Sequence, residues 1–162
     1  MLDALLVDLA AAPFATALKA SRYAYPVVNA VHIMALGTLF GAILALDLRL
    51  LGLGRLSPVR PLATYLPRVA AGGLAVAVPS GFLLFSVDPL AYAANPAFVT
   101  KVCLVAAGAV HAGAVHASPD WRRLLGVGGG EGDIGRGLRV SAALSLTIWT
   151  AAILSGRLIA FA

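Results

Sequence analysis

Four long apolar stretches run along the chain, at about Tyr25 to Leu46, Leu66 to Phe85, Pro96 to Ala117 and Leu138 to Leu158. Each is close to the roughly 20 residues that a helix needs to cross a hydrocarbon core. Ahead of them, residues 2–20 alternate apolar and charged positions around Pro13. That segment is too broken to span, and its pattern predicts a short interfacial helix or a lid. Polar and basic residues gather between the stretches. The pattern therefore predicts an all-α fold, a transmembrane four-helix bundle with a short N-terminal interfacial helix, in one transmembrane domain over residues 1–162.

Composition agrees with the pattern. Of 162 residues, 60% are apolar and 12% charged, against about 45–50% and about 25% in an ordinary soluble domain. This excludes disorder and a soluble enzyme with a water-facing surface. The net charge of +5 does not imply a nucleic-acid partner, because the basic residues lie at the ends of apolar runs. Eight arginines (Arg49, Arg55, Arg60, Arg68, Arg122, Arg123, Arg136 and Arg139) fall on one side of the expected topology. Four basic residues (Lys19, Arg22, Lys101 and Arg157) fall on the other. The asymmetry predicts that the arginine-rich loops are cytoplasmic and both termini periplasmic, in a bacterial inner membrane. The start carries two acids and no basic region, so it does not read as a secretory signal peptide. The only cysteine, Cys103, allows no disulfide framework within the chain. Residues 126–137, GVGGGEGDIGRG, read as a flexible linker.

Small residues are frequent in the spans: Gly37 and Gly41 form a GxxxG step, and spans two and three are rich in Gly and Ala. In lipid, such residues let helix backbones approach closely. Pro79-Ser80-Gly81 predicts a kink near the outer end of span two.

Titratable residues inside a membrane span are functional candidates, because burying them is costly. His32 and Lys101 lie at nearly the same depth, roughly 10 Å and roughly 8 Å below the outer edge at about 1.5 Å per residue. This depth match permits one planar cofactor between spans one and three, with His32 and Lys101 as axial ligands of a haem iron. Asn29 lies one turn from His32, and Arg22 and Arg157 are placed to meet propionates at the outer surface. A cavity lined by His32 and Lys101, with Gly37 and Gly108 beneath it, is expected there. The plainer alternative is a His32 bonded to a neighbouring carbonyl and a Lys101 that snorkels to the interface. His111 and His116 lie deeper, five residues apart, and do not share a helix face. Asp47 and Arg49 close span one. An acid at a helix C-terminus opposes the dipole, which predicts a structural ion pair from Asp47 to Arg68, Arg123 or Arg139, the sharper alternative being a gate or proton relay.

The stretches VVNAVHIMALGTLFGAILALDLRLLGLG and GFLLFSVDPLAYAANPAFVTKVCLVAAGAVHAGAVH resemble an uncharacterised bacterial four-helix membrane family. DLRLLG and the NPxFxxK stretch are its most specific parts, over about Tyr25 to Asp120. A looser similarity is to HemJ-type protoporphyrinogen oxidases and CopD-like copper proteins. In the HemJ type a His and a Lys are associated with haem b, and here they map onto His32 and Lys101. The aromatic and basic residues that follow that His in the HemJ type are replaced by GTLFGAILALDLRLL. The expected function is therefore a membrane b-type haem protein for electron transfer, or an anchor for a redox partner. The alternatives are a HemJ-like porphyrinogen oxidase and a cofactor-free accessory or transport protein. The expected partners are the lipid bilayer, a membrane or periplasmic redox partner and further copies of the chain.

Overall fold

The computed structural model describes residues 1–53, 58–126 and 134–161. Most of the glycine-rich linker expected at 126–137 lies outside them. The described residues form α1 (Leu2–Ala11), α2 (Pro13–Ala20), α3 (Ala24–Leu50), α4 (Val59–Val87), α5 (Pro89–Ala94), α6 (Pro96–Ala117), α7 (Pro119–Leu125) and α8 (Arg136–Leu158), closed by a 3-10 turn at Ile159–Phe161. Four helices, α3, α4, α6 and α8, are long and apolar enough to cross a membrane. Large apolar side chains such as Val31, Ile33, Val78, Val110 and Leu154 lie on their outward faces. This is a multi-pass membrane protein: in water those faces would be a liability, and in lipid they are solvated.

The N-terminal segment is two helices, not one. Ala12 is extended (ψ 143°) ahead of Pro13, because proline disfavours helical geometry in the residue before it. Pro13 then opens α2 at its first position. Helix α1 buries nothing, whereas α2 buries Ala15 and Leu18.

Helix α3 ends at the DLRLLG stretch through its glycine. Gly52 has φ 102°, a left-handed geometry that glycine adopts without strain. Its N–H bonds the Arg49 carbonyl at 3.1 Å, and the Leu53 N–H bonds the Leu48 carbonyl at 3.0 Å. This is the Schellman arrangement that satisfies the last carbonyls of a helix. Helix α4 runs unbroken through Pro67 and Pro79.

Helix α3 packs on α4 and on α8, and α8 packs on α6. The spatial order is α4, α3, α8, α6, and α4 and α6 do not pack against each other. The α3–α4 crossing is set by Gly73: a Cβ there would lie 2.7 Å from the Leu39 nitrogen and 2.9 Å from the Ala35 carbonyl. The expected GxxxG step is not the contact, since nothing lies within 4 Å of a Cβ built on Gly37 or Gly41. Their face of α3 points outward, while Ala35, Leu39 and Ala42 face the bundle. On the other side, the Trp149 indole lies against Gly108, 2.8 Å from where a Cβ would sit.

The NPxFxxK stretch is built as an anchor. Asn95 Oδ1 accepts from the N–H groups of Ala97 and Phe98 at 2.9 and 3.2 Å, and its Nδ2 donates to the Ile159 carbonyl at 3.3 Å. Pro96 takes the first helical position. Phe98 stacks on Phe85 at 5.2 Å and meets Tyr92 at 5.4 Å. Burial first, and then the neighbouring Tyr25 and Asp88, hold the Tyr92 phenol above its ordinary pKa. Both described termini thus gather at the α4–α6 connection, and the opposite end of the bundle is arginine-rich. Asn95→Ala removes one cap and one tie. It should lower unfolding stability in micelles by about 1–2 kcal/mol, read by denaturant titration.

Candidate functional site

His32 and Lys101 lie in the half of the bundle nearer the termini, on different walls. The His32 imidazole lies against α4, its Cε1 2.9 Å from where a Gly81 Cβ would sit, and its Nδ1 is 3.0 Å from Ser80 Oγ. Ser80 Oγ is also 2.6 Å from the Val76 carbonyl. That carbonyl can only accept, so the Ser80 proton is committed to it and Nδ1–H donates to Ser80. In the neutral ring this leaves the lone pair on Nε2. The Lys101 stem runs along α8, with Cδ, Cε and Nζ at 3.3–3.5 Å from a Cβ built on Gly156. The two side chains are near enough for the lysine charge to act on the imidazole.

The other residues expected around that pair lie elsewhere. Asn29 is exposed on α3. The Arg22 guanidinium lies over the Tyr23 ring at 5.4 Å, and that of Arg157 over the Phe161 ring at 5.1 Å. Gly37 opens outward and Gly108 is covered by Trp149, so neither makes room beneath a cofactor.

A cavity among the described residues lies in the arginine-rich half. It has a volume of about 420 Å³ and includes neither His32 nor Lys101 in its lining. Leu39, Ile43, Leu46, Leu66, Leu74 and Trp149 give it apolar walls. Helices α3 and α8 form its back, and the gap between α4 and α6 leaves it open sideways. Its polar groups are few: Asp47, His111, Ser141 and Ser145, with Arg68 and His116 also in the lining.

One turn of α8 organises these groups. Ser145 lies beside the Asp47 side chain of α3. The Ser141 carbonyl, four residues earlier, accepts from His111 Nε2 of α6 at 3.1 Å. Two helices that barely meet thus place a carboxyl and an imidazole against the same turn. Asp47 is only 6% exposed, and its Oδ2 is buried with no hydrogen-bond partner among the described residues.

The ion pair expected for Asp47 is therefore not made. Arg123 pairs with Asp120 at 3.2 Å, and Arg139 Nε donates to the Ile134 carbonyl at 3.2 Å. Arg68 lines the cavity but is exposed, so its guanidinium reaches outward along a long stem. Arg49 is buried beside the Schellman turn. His116 is exposed, with Nδ1 donating to the Ala112 carbonyl at 2.7 Å and its ring 4.5 Å from the Trp121 ring.

No protein-family model matches this chain, and no curated protein or solved structure is similar to it. No group of three or more His, Cys, Asp or Glu able to hold a metal ion occurs among the described residues. What the arrangement offers is an apolar cleft open toward lipid, with one unsatisfied acceptor at its back. In the sequence, Asp47 and His111 stand out as titratable residues of the spans, and the Ser141–Ser145 spacing places two serines on one face of span four.

Proposed function

We propose that this protein is a cofactor-independent binding protein of a bacterial inner membrane, of the accessory or transport class. It takes an apolar molecule from the bilayer into the cleft between α4 and α6. The observation that carries this reading is the buried, partnerless Asp47 Oδ2 at the back of an apolar cavity of about 420 Å³. A buried polar atom without a partner costs roughly 1–3 kcal/mol, and a bound molecule that satisfies it recovers that cost. The volume lies within the roughly 300–1,000 Å³ of small-molecule sites. Native mass spectrometry of protein extracted with its lipids tests the reading. Adducts of one apolar molecule should persist, and should be lost when Ala112→Phe fills the cleft. Bare protein under conditions that keep other lipid complexes intact would end it.

The arginine-rich end is assigned to the cytoplasm, and both termini to the periplasm, on the eight-to-four distribution of basic residues. In a Cys103→Ala background, a cysteine placed within 127–133 should stay unlabelled by an impermeant thiol reagent in intact cells. Labelling there would invert the orientation.

A second reading, haem b at His32, is favoured by the Nδ1–Ser80 bond and by the HemJ-type resemblance. When bound, haem b supplies one-electron chemistry at its iron. His32 would present Nε2, with Ser80 fixing the ring as outer partners of ligating histidines do, and Lys101 would offer the second donor. Such a protein would pass electrons to a partner at the membrane or its periplasmic face. Protein from haem-replete cells should then show a Soret band that His32→Ala abolishes. A colourless preparation removes this reading and leaves the cleft untouched.

A further inference from the structure

We infer that the occupant of the α4–α6 cleft is a hydroxyl-bearing amphiphile whose O–H donates to Asp47 Oδ2. This rests on the cleft-binding reading above and adds the chemical class of the ligand.

Three features of the cleft define that class. The first is the polarity of what is unsatisfied. Asp47 Oδ2 is buried with no donor among the described residues, although Ser145 lies beside the carboxyl. His111 has its Nε2 committed to the Ser141 carbonyl, so a neutral His111 has only the Nδ1 lone pair left. The Nδ1 lone pair accepts, and Oδ2 accepts while the Asp47 carboxyl is ionised, so the ligand must bring donors.

The second is charge. An anionic head, a phosphate or carboxylate, would face the Asp47 carboxyl at the back of an apolar cavity. A cationic amine would have to carry its full charge out of water into apolar surroundings. An uncharged donor avoids both penalties, and it carries the smaller desolvation cost on entering apolar surroundings.

The third is shape. About 420 Å³ holds a ring or a glycerol-sized head with the first part of a chain, not a whole two-chain lipid. The opening between α4 and α6 lets the remaining chain run out into the bilayer. Small residues border this opening: Ala71 on α4, and Ala109, Ala112 and Gly113 on α6.

Matched ligand pairs in nanodiscs, titrated by native mass spectrometry, test the inference. One pair is a prenylated hydroquinone and its dimethyl ether. The other is a diacylglycerol and its O-methyl ether. The free hydroxyl should bind about tenfold more tightly than the ether in at least one pair, as expected for one hydrogen bond to a buried acceptor. The pair that shows it tells a quinol from a glycerolipid. Asp47→Leu should erase the preference. Asp47→Asn, which keeps the side-chain shape and an acceptor oxygen, should retain it and controls for folding. Equal binding within both pairs, or tighter binding of a long-chain amine, would overturn the inference while leaving the cleft a binding site. Absence of binding by every ligand would overturn both.

Discussion

Replacing Asp47 with leucine should stabilise the protein, by about 1–3 kcal/mol in denaturant titrations in micelles. Leucine has similar bulk and suits the apolar walls formed by Leu39, Leu46 and Leu66. The change removes a carboxyl that is 6% exposed and has one buried oxygen without a partner. Exchanging an unpaired buried polar group for a well-packed apolar one is favourable where no ion pair is lost. The sign is the informative part. An Asp47–arginine ion pair would make the same substitution strongly destabilising, because it would strand a buried guanidinium. A loss of stability in Asp47→Leu would therefore mean that the carboxyl holds the fold together. A gain means that the acid is kept for something other than stability, as expected at a binding site.

Substitution at the α3–α4 crossing should have the opposite and larger effect. Gly73→Val should lower stability by about 3 kcal/mol or prevent accumulation of folded protein. Its first carbon would already lie 2.7 Å from the Leu39 backbone nitrogen and 3.0 Å from the Leu39 Cα. Those are backbone atoms of a packed helix, which cannot swing away as a side chain can. Gly72→Val is the control. Nothing lies within 4 Å of its Cβ, and its face of α4 is exposed, so its effect should stay within about 0.5 kcal/mol. Equal losses at the two positions would show that α3 and α4 do not cross as described.

The four spans were legible in the sequence, because the need for continuous apolar length in lipid leaves a direct mark on the chain. Asn95-Pro96 stands out in the sequence as a motif, and its physical role is a cap joined to an aromatic cluster. The near-equal depth of His32 and Lys101 was also readable from residue counts, and their electrostatic proximity agrees with it. What counting could not give is which helices adjoin. Depth along a helix is linear in sequence, but azimuth and neighbour depend on a few crossings such as Gly73 on Leu39 and Gly108 on Trp149. Gly37 and Gly41 have the spacing of a contact and face outward instead. The same gap explains Asp47. Its need for a partner followed from the helix dipole, but Arg123 and Arg139 are turned to other acceptors, Arg68 is exposed, and Ser145 of α8 is the polar side chain beside it. The cleft exists because α4 and α6 do not close on each other, and no residue pattern announces a contact that is not made.

The central claim is that bilayer chains enter the cleft from the side, and its two tryptophans can report on it. Trp121 and Trp149 are the only tryptophans of the chain. Both line the cavity, although they are only 4% and 5% exposed. In Trp121→Phe protein reconstituted with lipids brominated along one acyl chain, the fluorescence of Trp149 should be strongly quenched. Quenching should fall when Ala112→Phe fills the opening. Trp149 fluorescence that is indifferent to brominated lipid, and unchanged by Ala112→Phe, would mean that the cavity is sealed from the bilayer and would contradict the account.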